Sequence, residues 1–379
     1  MKLRVLVTGG AGFIGSNLTK RLVAEGHEVT VFDSLLSQIH GKRPEVTSFL
    51  YQSVVDIAHV VVGSVTSRAD IARVVPGHDV IVHLAAETGT GQSMYEIDRY
   101  VETNVGGTAK ILDVLANSDH DVRKMVVASS RAIYGEGQYQ SENLGTVFPL
   151  SRADQDMAAG DFEVTYPGAV LPLTLVATDE SSRIQPSSVY GITKHTQESM
   201  VLTVAPTLGI APVALRYQNV YGPGQSLTNP YTGILSIFST LIREGKEINV
   251  FEDGLESRDF VFIDDVVDAT YRAIVSNGAD GLAVNVGSGI ATTVTEVIAG
   301  LFQAFGKEVP VRVSGNYRLG DIRHNFAGTA LAVEKLDFRS QISFREGVSR
   351  FVNWVDAQPE VGGEYESSLA EMRARKLLK

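Results

Sequence analysis

The chain has 379 residues, 44% of them hydrophobic and 20% charged, which is enough apolar surface for a substantial core and enough length for two lobes. A formal net charge of -11 argues against a nucleic-acid or anionic-membrane partner, because a phosphate-rich surface is repelled except at a local basic pocket. The absence of cysteine excludes disulfides, thiolate metal sites and cysteine nucleophiles, and fits a reducing compartment, with the cytoplasm as the expected location.

The apolar run behind Lys2 and Arg4 stops at Val7, too short for a signal-peptide core, and no apolar run is long enough to span a bilayer. Short β-branched runs then alternate with amphipathic stretches. Strands are expected at 4–8, 28–32, 58–62, 80–84, 124–128 and 212–216, and helices at 14–25, 68–75, 100–117 and 189–208, the last interrupted at Pro206. This order predicts an α/β fold, a Rossmann-type doubly wound parallel sheet with a smaller C-terminal α/β lobe. The expected division is 1–219 for the cofactor-binding domain and 220–379 for the substrate lobe. Periodicity weakens over 137–187, where Pro149, Pro167, Pro172 and Pro186 break any long element, and this stretch reads as an insertion. Apolar segments at 233–242, 263–275 and 294–305 supply the second lobe, and the charged tail 366–379 reads as a helix or a frayed end.

Gly9, Gly12 and Gly15 follow the first strand directly and open the first helix, with Phe13 and Ile14 between the last two. Glycine at this spacing permits a tight turn and close backbone approach to a pyrophosphate, and the helix N-terminus favours its negative charge. Asp33 ends the second strand, where a carboxylate accepts hydrogen bonds from ribose hydroxyls and repels a 2′-phosphate. The expected cofactor is therefore NAD rather than NADP, with Lys42 and Arg43 read as a solvated pair. Tyr190 and Lys194 lie four apart on one face of a predicted helix, so an ammonium stands near a phenol and is expected to lower its pKa towards that of a usable base.

Taken in order, the glycine turn, Asp33, Gly63-Ser64-Val65, His83-Leu84-Ala85-Ala86, Asn104, Ser129-Ser130, Tyr190 to Lys194 and the run Arg216 to Pro223 resemble the extended short-chain dehydrogenase family of NAD-dependent nucleotide-sugar epimerases and dehydratases. The resemblance implies cofactor contacts from Ser64, Val65, Leu84, Ala85, Ala86 and Asn104 as well as from Tyr190 and Lys194. It also implies a catalytic set of Ser130, Tyr190 and Lys194, in which Ser130 bonds the reacting hydroxyl. Ser64 stands where the family commonly has an Asp directed at the adenine amine, so that contact is expected to weaken or to shift to backbone. His83 is expected to support the cofactor-side loop rather than to carry a proton.

In dehydratases of the family, the two residues after the catalytic Ser or Thr are an acid and a base resembling Asp-Glu. Here they are Arg131-Ala132, which cannot eliminate water. Asn219, Arg258 and Arg323 match positions expected around the nucleotide sugar, the two arginines on its diphosphate. The runs 91–97, including Gln92 and Ser93, 213–227, 229–238 and 251–254 are similar to those of dTDP-L-rhamnose 4-epimerases. This likeness implies C4 epimerisation of dTDP-L-rhamnose to dTDP-6-deoxy-L-talose through a 4-keto intermediate. It adds Gln92, Ser93 and Ser130 to the substrate contacts. A different nucleotide-sugar epimerase, a net oxidoreductase on a UDP-, GDP- or CDP-sugar, and an NAD-sensing protein without turnover are the alternatives. The subgroup's paired cysteines are missing from the insertion, so no metal is expected. The family also implies a homodimer built on helices 100–117 and 189–208.

Overall fold

The computed structural model describes residues 2–227, 229, 233–359 and 365–379, with backbone alone for 365–368. Its main sheet contains β1 (Arg4–Thr8), β2 (Glu28–Asp33), β3 (His59–Val62), β4 (Val80–His83), β5 (Lys124–Ser130) and the strands Ala211–Tyr217 and Ala283–Val286. From one edge the order is Ala283–Val286, Ala211–Tyr217, β5, β4, β1, β2, β3, and every pairing is parallel. The sheet is buried on both faces because each strand feeds two cores. Val5 and Val7 of β1 enter the core shared with the second lobe, while Leu6 between them joins Ile81, Met125 and Val127 on the other side. The winding direction reverses between β1 and β4, which opens a crevice at the carboxyl ends of these strands.

Helix α1 (Phe13–Ala24) sends Leu18 and Leu22 into the shared core. The stretch expected as one helix at 100–117 is divided into a turn of helix at Ile97–Tyr100, a wider π turn at Val101–Gly106 and a helix at Gly107–Asn117. The helix Val189–Val204 gives way to a 3-10 turn at Ala205–Leu208, since Pro206 has no N–H to continue the ladder.

Several elements cross the division at 219/220. Strand Ala283–Val286 returns to the first sheet beside Ala211–Tyr217, and helix Ile263–Val275 packs on α1. The remaining second lobe is built on Asn219–Tyr221, Ser257–Phe262 and Ala291–Thr293. The stretch read as an insertion has its own short sheet. It forms a three-stranded antiparallel sheet, Gly145–Val147, Tyr139–Ser141, Thr174–Leu175, over a small core of Tyr139, Val147 and Val164. The tail is helical over Tyr365–Ala374. Among the described residues no helix is long and apolar enough to cross a membrane.

Candidate active site

A cleft of about 860 Å³ occupies the crevice at the carboxyl ends of β1, β2, β4 and β5. Its walls include Gly9, Gly12, Phe13, Ile14, Gly15, Asp33, Ser64, Val65, Leu84, Ala85 and Ala86, and its far end holds Ser130, Tyr190 and Lys194. The glycine turn has no room for side chains. A Cβ on Gly9, whose φ is +69°, would lie 2.7 Å from the Ala85 nitrogen, and one on Gly15 would lie 2.1 Å from the Gly9 carbonyl oxygen. Gly12 caps α1 without any side-chain bond, so the first-turn N–H groups are available to an anion in the cleft. The Asp33 carboxylate is fixed by the backbone N–H groups of Ala11 and Leu35, which donate to its two oxygens at 3.0 and 2.9 Å. Ser64 lines the cleft, but its hydroxyl is shared with Thr66 at 2.8 Å. These residues fit a dinucleotide with a free adenosine 2′-hydroxyl.

Asn104 does not line the cleft. It is fully buried within the π turn, where its amide oxygen accepts from the Glu87 N–H at 2.8 Å and its nitrogen donates to the Glu87 carbonyl and the Thr193 hydroxyl. It holds the cofactor-side loop against helix Val189–Val204. Thr103, its neighbour, reaches the cleft wall, and no sequence signal distinguished the two. His83 is fully enclosed between the hydroxyls of Thr8 and Thr108 at 2.8 and 2.9 Å. Burial, aided by the charge of Lys194, pushes its pKa down to about 3, so it stays neutral and bridges β1, β4 and the following helix.

At the catalytic end, Ser188 caps helix Val189–Val204 and thereby presents Tyr190 and Lys194 from its first turns. The Ser130 hydroxyl accepts from the Ala132 N–H at 3.2 Å and is near enough to the Tyr190 side chain to act on its pKa. Lys194 Nζ donates to the Ala128 carbonyl at 3.0 Å and lies 6.0 Å from the Tyr190 ring centre. The expected lowering of the phenol pKa by Lys194 is not found. Burial raises Tyr190, opposed by the nearby Ser130 hydroxyl and by the charge of Arg131. Burial alone brings Lys194 down to about 7. Behind this group Ser129 donates to Glu198 at 2.6 Å, and Glu198 pairs with Arg216 at 2.6 Å, which fixes the end of β5 against the helix.

The substrate-side residues divide. Gln92 lines the cleft, held there by Glu96 and Tyr100. Ser93 is fully buried, where it accepts from the Tyr190 backbone N–H at 3.0 Å and donates to the Thr90 carbonyl, so its hydroxyl is spent on the backbone around Tyr190. Asn219 accepts from Arg131 Nε at 3.1 Å. Arg258 spends its guanidinium on the Ser257, Ile322 and Arg323 carbonyls and on Asp321. Arg323 is 1% exposed and bonded to Glu163, Glu252 and Asp253, so the diphosphate contact expected of it is replaced by an ion-pair network. Residues Pro230 to Thr232 of the run at 229–238 lie outside the described residues.

Residues 5–152 and 165–287 match the model of the NAD dependent epimerase/dehydratase family. The chain belongs to this family. It is 36% identical to the dTDP-L-rhamnose 4-epimerase of Burkholderia thailandensis, over 93% of this chain and 94% of that protein. Among solved structures it is similar to the UDP-glucose 4-epimerase of Thermotoga maritima with UDP-glucose, with a TM-score of 0.73, 27% identity, and coverage of 93% of this chain and 99% of the other. The UDP-glucose 4-epimerase of Thermus thermophilus in complex with NAD gives a TM-score of 0.73 at 25% identity, over 94% and 100% of the two chains. The cofactor of the family is NAD, and the glycine turn and Asp33 of this member fit it.

Proposed function

We propose that this enzyme is a nucleotide-sugar 4-epimerase whose substrate is dTDP-L-rhamnose and whose product is dTDP-6-deoxy-L-talose. The observation that carries the reading is the meeting of Ser130, Tyr190 and Lys194 at one end of a dinucleotide cleft, with Arg131-Ala132 in place of the acids a dehydratase needs. Bound NAD supplies a reversible hydride acceptor. Tyr190, as phenolate, takes the proton of the C4 hydroxyl, and Ser130 holds that oxygen by a hydrogen bond. Arg131 supplies positive charge beside the phenolate. The 4-keto sugar then turns, and Tyr190 returns its proton to the oxygen on the opposite face. Cofactor is not consumed. The substrate reading rests on the likeness to the Burkholderia protein along 93% of the chain. The likeness to the Thermotoga enzyme with UDP-glucose supports a UDP-hexose as the second reading.

Sugar deuterated at C4, incubated in ordinary water, is expected to give the C4 epimer with its label retained and with no accumulation of NADH. Label wash-out overturns the mechanism. Inversion of UDP-glucose without reaction of dTDP-L-rhamnose overturns the substrate while leaving the epimerase standing.

A further inference from the structure

We propose that His40 is a cofactor contact, its imidazole Nε2–H donating to the adenosine 2′-hydroxyl of NAD while Asp33 accepts a hydrogen bond from the same hydroxyl. The proposal rests on the dinucleotide cleft and not on the identity of the sugar.

His40 ends the short helical turn Ser37–His40 that follows β2, and it is 3% exposed in the wall of the cleft, which Asp33 and Ser48 also line. Its place is fixed from two sides. The His40 carbonyl accepts from the Thr47 hydroxyl at 2.6 Å, and Nδ1 lies 2.7 Å from the Ser48 hydroxyl. Ser48 in turn caps the helix Phe49–Val55, its oxygen accepting from the Tyr51 N–H at 3.1 Å. The other ring nitrogen has no such anchor. Nε2 makes no hydrogen bond among the described residues, and Asp33 Oδ1, at 3.8 Å, is beyond hydrogen-bond range. Nor is Nε2 one of the unbonded side-chain atoms closed to solvent, so it opens on the cleft that His40 lines.

The partners of the ring decide which nitrogen carries the proton. Burial lowers the pKa of His40 against the opposing charge of Asp33, so the ring is neutral at pH 7 and has a single N–H. With that N–H at Nδ1, the Ser48 oxygen would accept twice and its own proton would have no acceptor. Ser48 therefore donates to Nδ1, and Nε2 carries the proton on the side of Asp33. Asp33 Oδ1 accepts from the Leu35 N–H at 2.9 Å and has a second lone pair to offer. A donor and an acceptor 3.8 Å apart suit one hydroxyl oxygen at about 2.8 Å from each, which gives its proton to the carboxylate and accepts from the imidazole. An acidic residue at the end of the second strand of this fold meets the ribose 2′-hydroxyl, and that is the hydroxyl the pair brackets.

Two variants separate the two nitrogens. His40→Asn carries its amide nitrogen at the place of Nδ1 and keeps the bond to Ser48, whereas His40→Gln carries its amide nitrogen at the place of Nε2. Equilibrium dialysis of the full chain against NAD, and against its analogue lacking the adenosine 2′-hydroxyl, measures both affinities. His40→Asn should bind NAD about 10-fold more weakly and the analogue nearly as well as wild type does, so that the preference for the hydroxyl shrinks by the same factor. His40→Gln should regain most of that preference. An equal fall for NAD and the analogue in His40→Asn marks a merely structural role and overturns the proposal, as does unchanged NAD affinity. If the variants fail to fold, a crystal structure of the wild-type enzyme with NAD decides. Nε2 at hydrogen-bond distance from the 2′-oxygen supports the contact, and a separation beyond about 4 Å overturns it.

Discussion

Burial holds the Tyr190 phenol above its ordinary pKa even though the Ser130 hydroxyl and the charge of Arg131 act against it, so the tyrosine is protonated at neutral pH. Proton removal from the sugar should therefore quicken as pH rises from about 6 to about 9, the acid limb following the phenolate. Arg131 is the charged side chain that acts on this equilibrium. Its guanidinium is brought down to about 10 by burial and by Arg258, yet it stays cationic across that range. A nearby cation favours phenolate, so Arg131→Met should displace the acid limb of the kcat profile to higher pH. An unchanged or downward-shifted limb refutes this role. Tyr190→Phe should keep the fold and the bound NAD and lower turnover by at least ~100-fold, the lower range for a lost general acid-base group. Near-normal turnover in that variant assigns the proton to another residue. Tyr190 and Lys194 were legible as a pair because four-residue spacing on a helix already determines where side chains point, whereas Ser130 came from the family resemblance. Ser93 and Asn104 were not, since each sits on the right element but turns to backbone partners that only the packed structure brings near.

Elements, more than single contacts, explain what became of the arginines. The insertion is joined to the second lobe through buried charge: Arg152 makes two 2.8 Å bonds to Glu252, and Arg323 spans Glu163 of the insertion and Glu252 and Asp253 of the lobe. Sequence spacing reported a guanidinium near the substrate lobe but could not report these carboxylates, which lie between 70 and 160 residues away along the chain. Arg323→Met leaves the acids facing one another without their cation and should destabilise the fold by about 3–5 kcal/mol, the usual consequence of removing one side of a buried pair. Chemical denaturation measures the loss, and dTDP affinity at low temperature should remain close to wild type. A variant of normal stability with weakened dTDP binding would restore the diphosphate assignment. The same weave accounts for the proline-rich stretch at 137–187. Its three strands are two or three residues long, too short for a period of two to register, and they depend on the cluster around Tyr139 and on Arg152 for their place.

On the scale of the whole molecule, the parallel sheet was readable from six short β-branched runs. The seventh strand, Ala283–Val286, was hidden by its location beyond the expected boundary. Because that strand belongs to the first sheet, the two lobes share one core, and the surface left for a partner lies elsewhere. Ile97, Val101 and Ile192 are 51%, 43% and 51% exposed on the packed elements Ile97–Tyr100, Val101–Gly106 and Val189–Val204. Exposed large aliphatic side chains gathered on neighbouring helices favour self-association when a two-fold axis lets the same patch meet itself. We propose a homodimer through these helices, in line with the family resemblance. Light scattering across a range of concentrations should report twice the mass of the 40.8 kDa chain. Ile192→Glu places a charge at the centre of such an interface and should yield monomer that still holds NAD, because Ile192 projects from the helix away from Tyr190 and Lys194. A dimer unaffected by this change would locate the interface on another face, and a wild-type monomer at high concentration would refute the assembly.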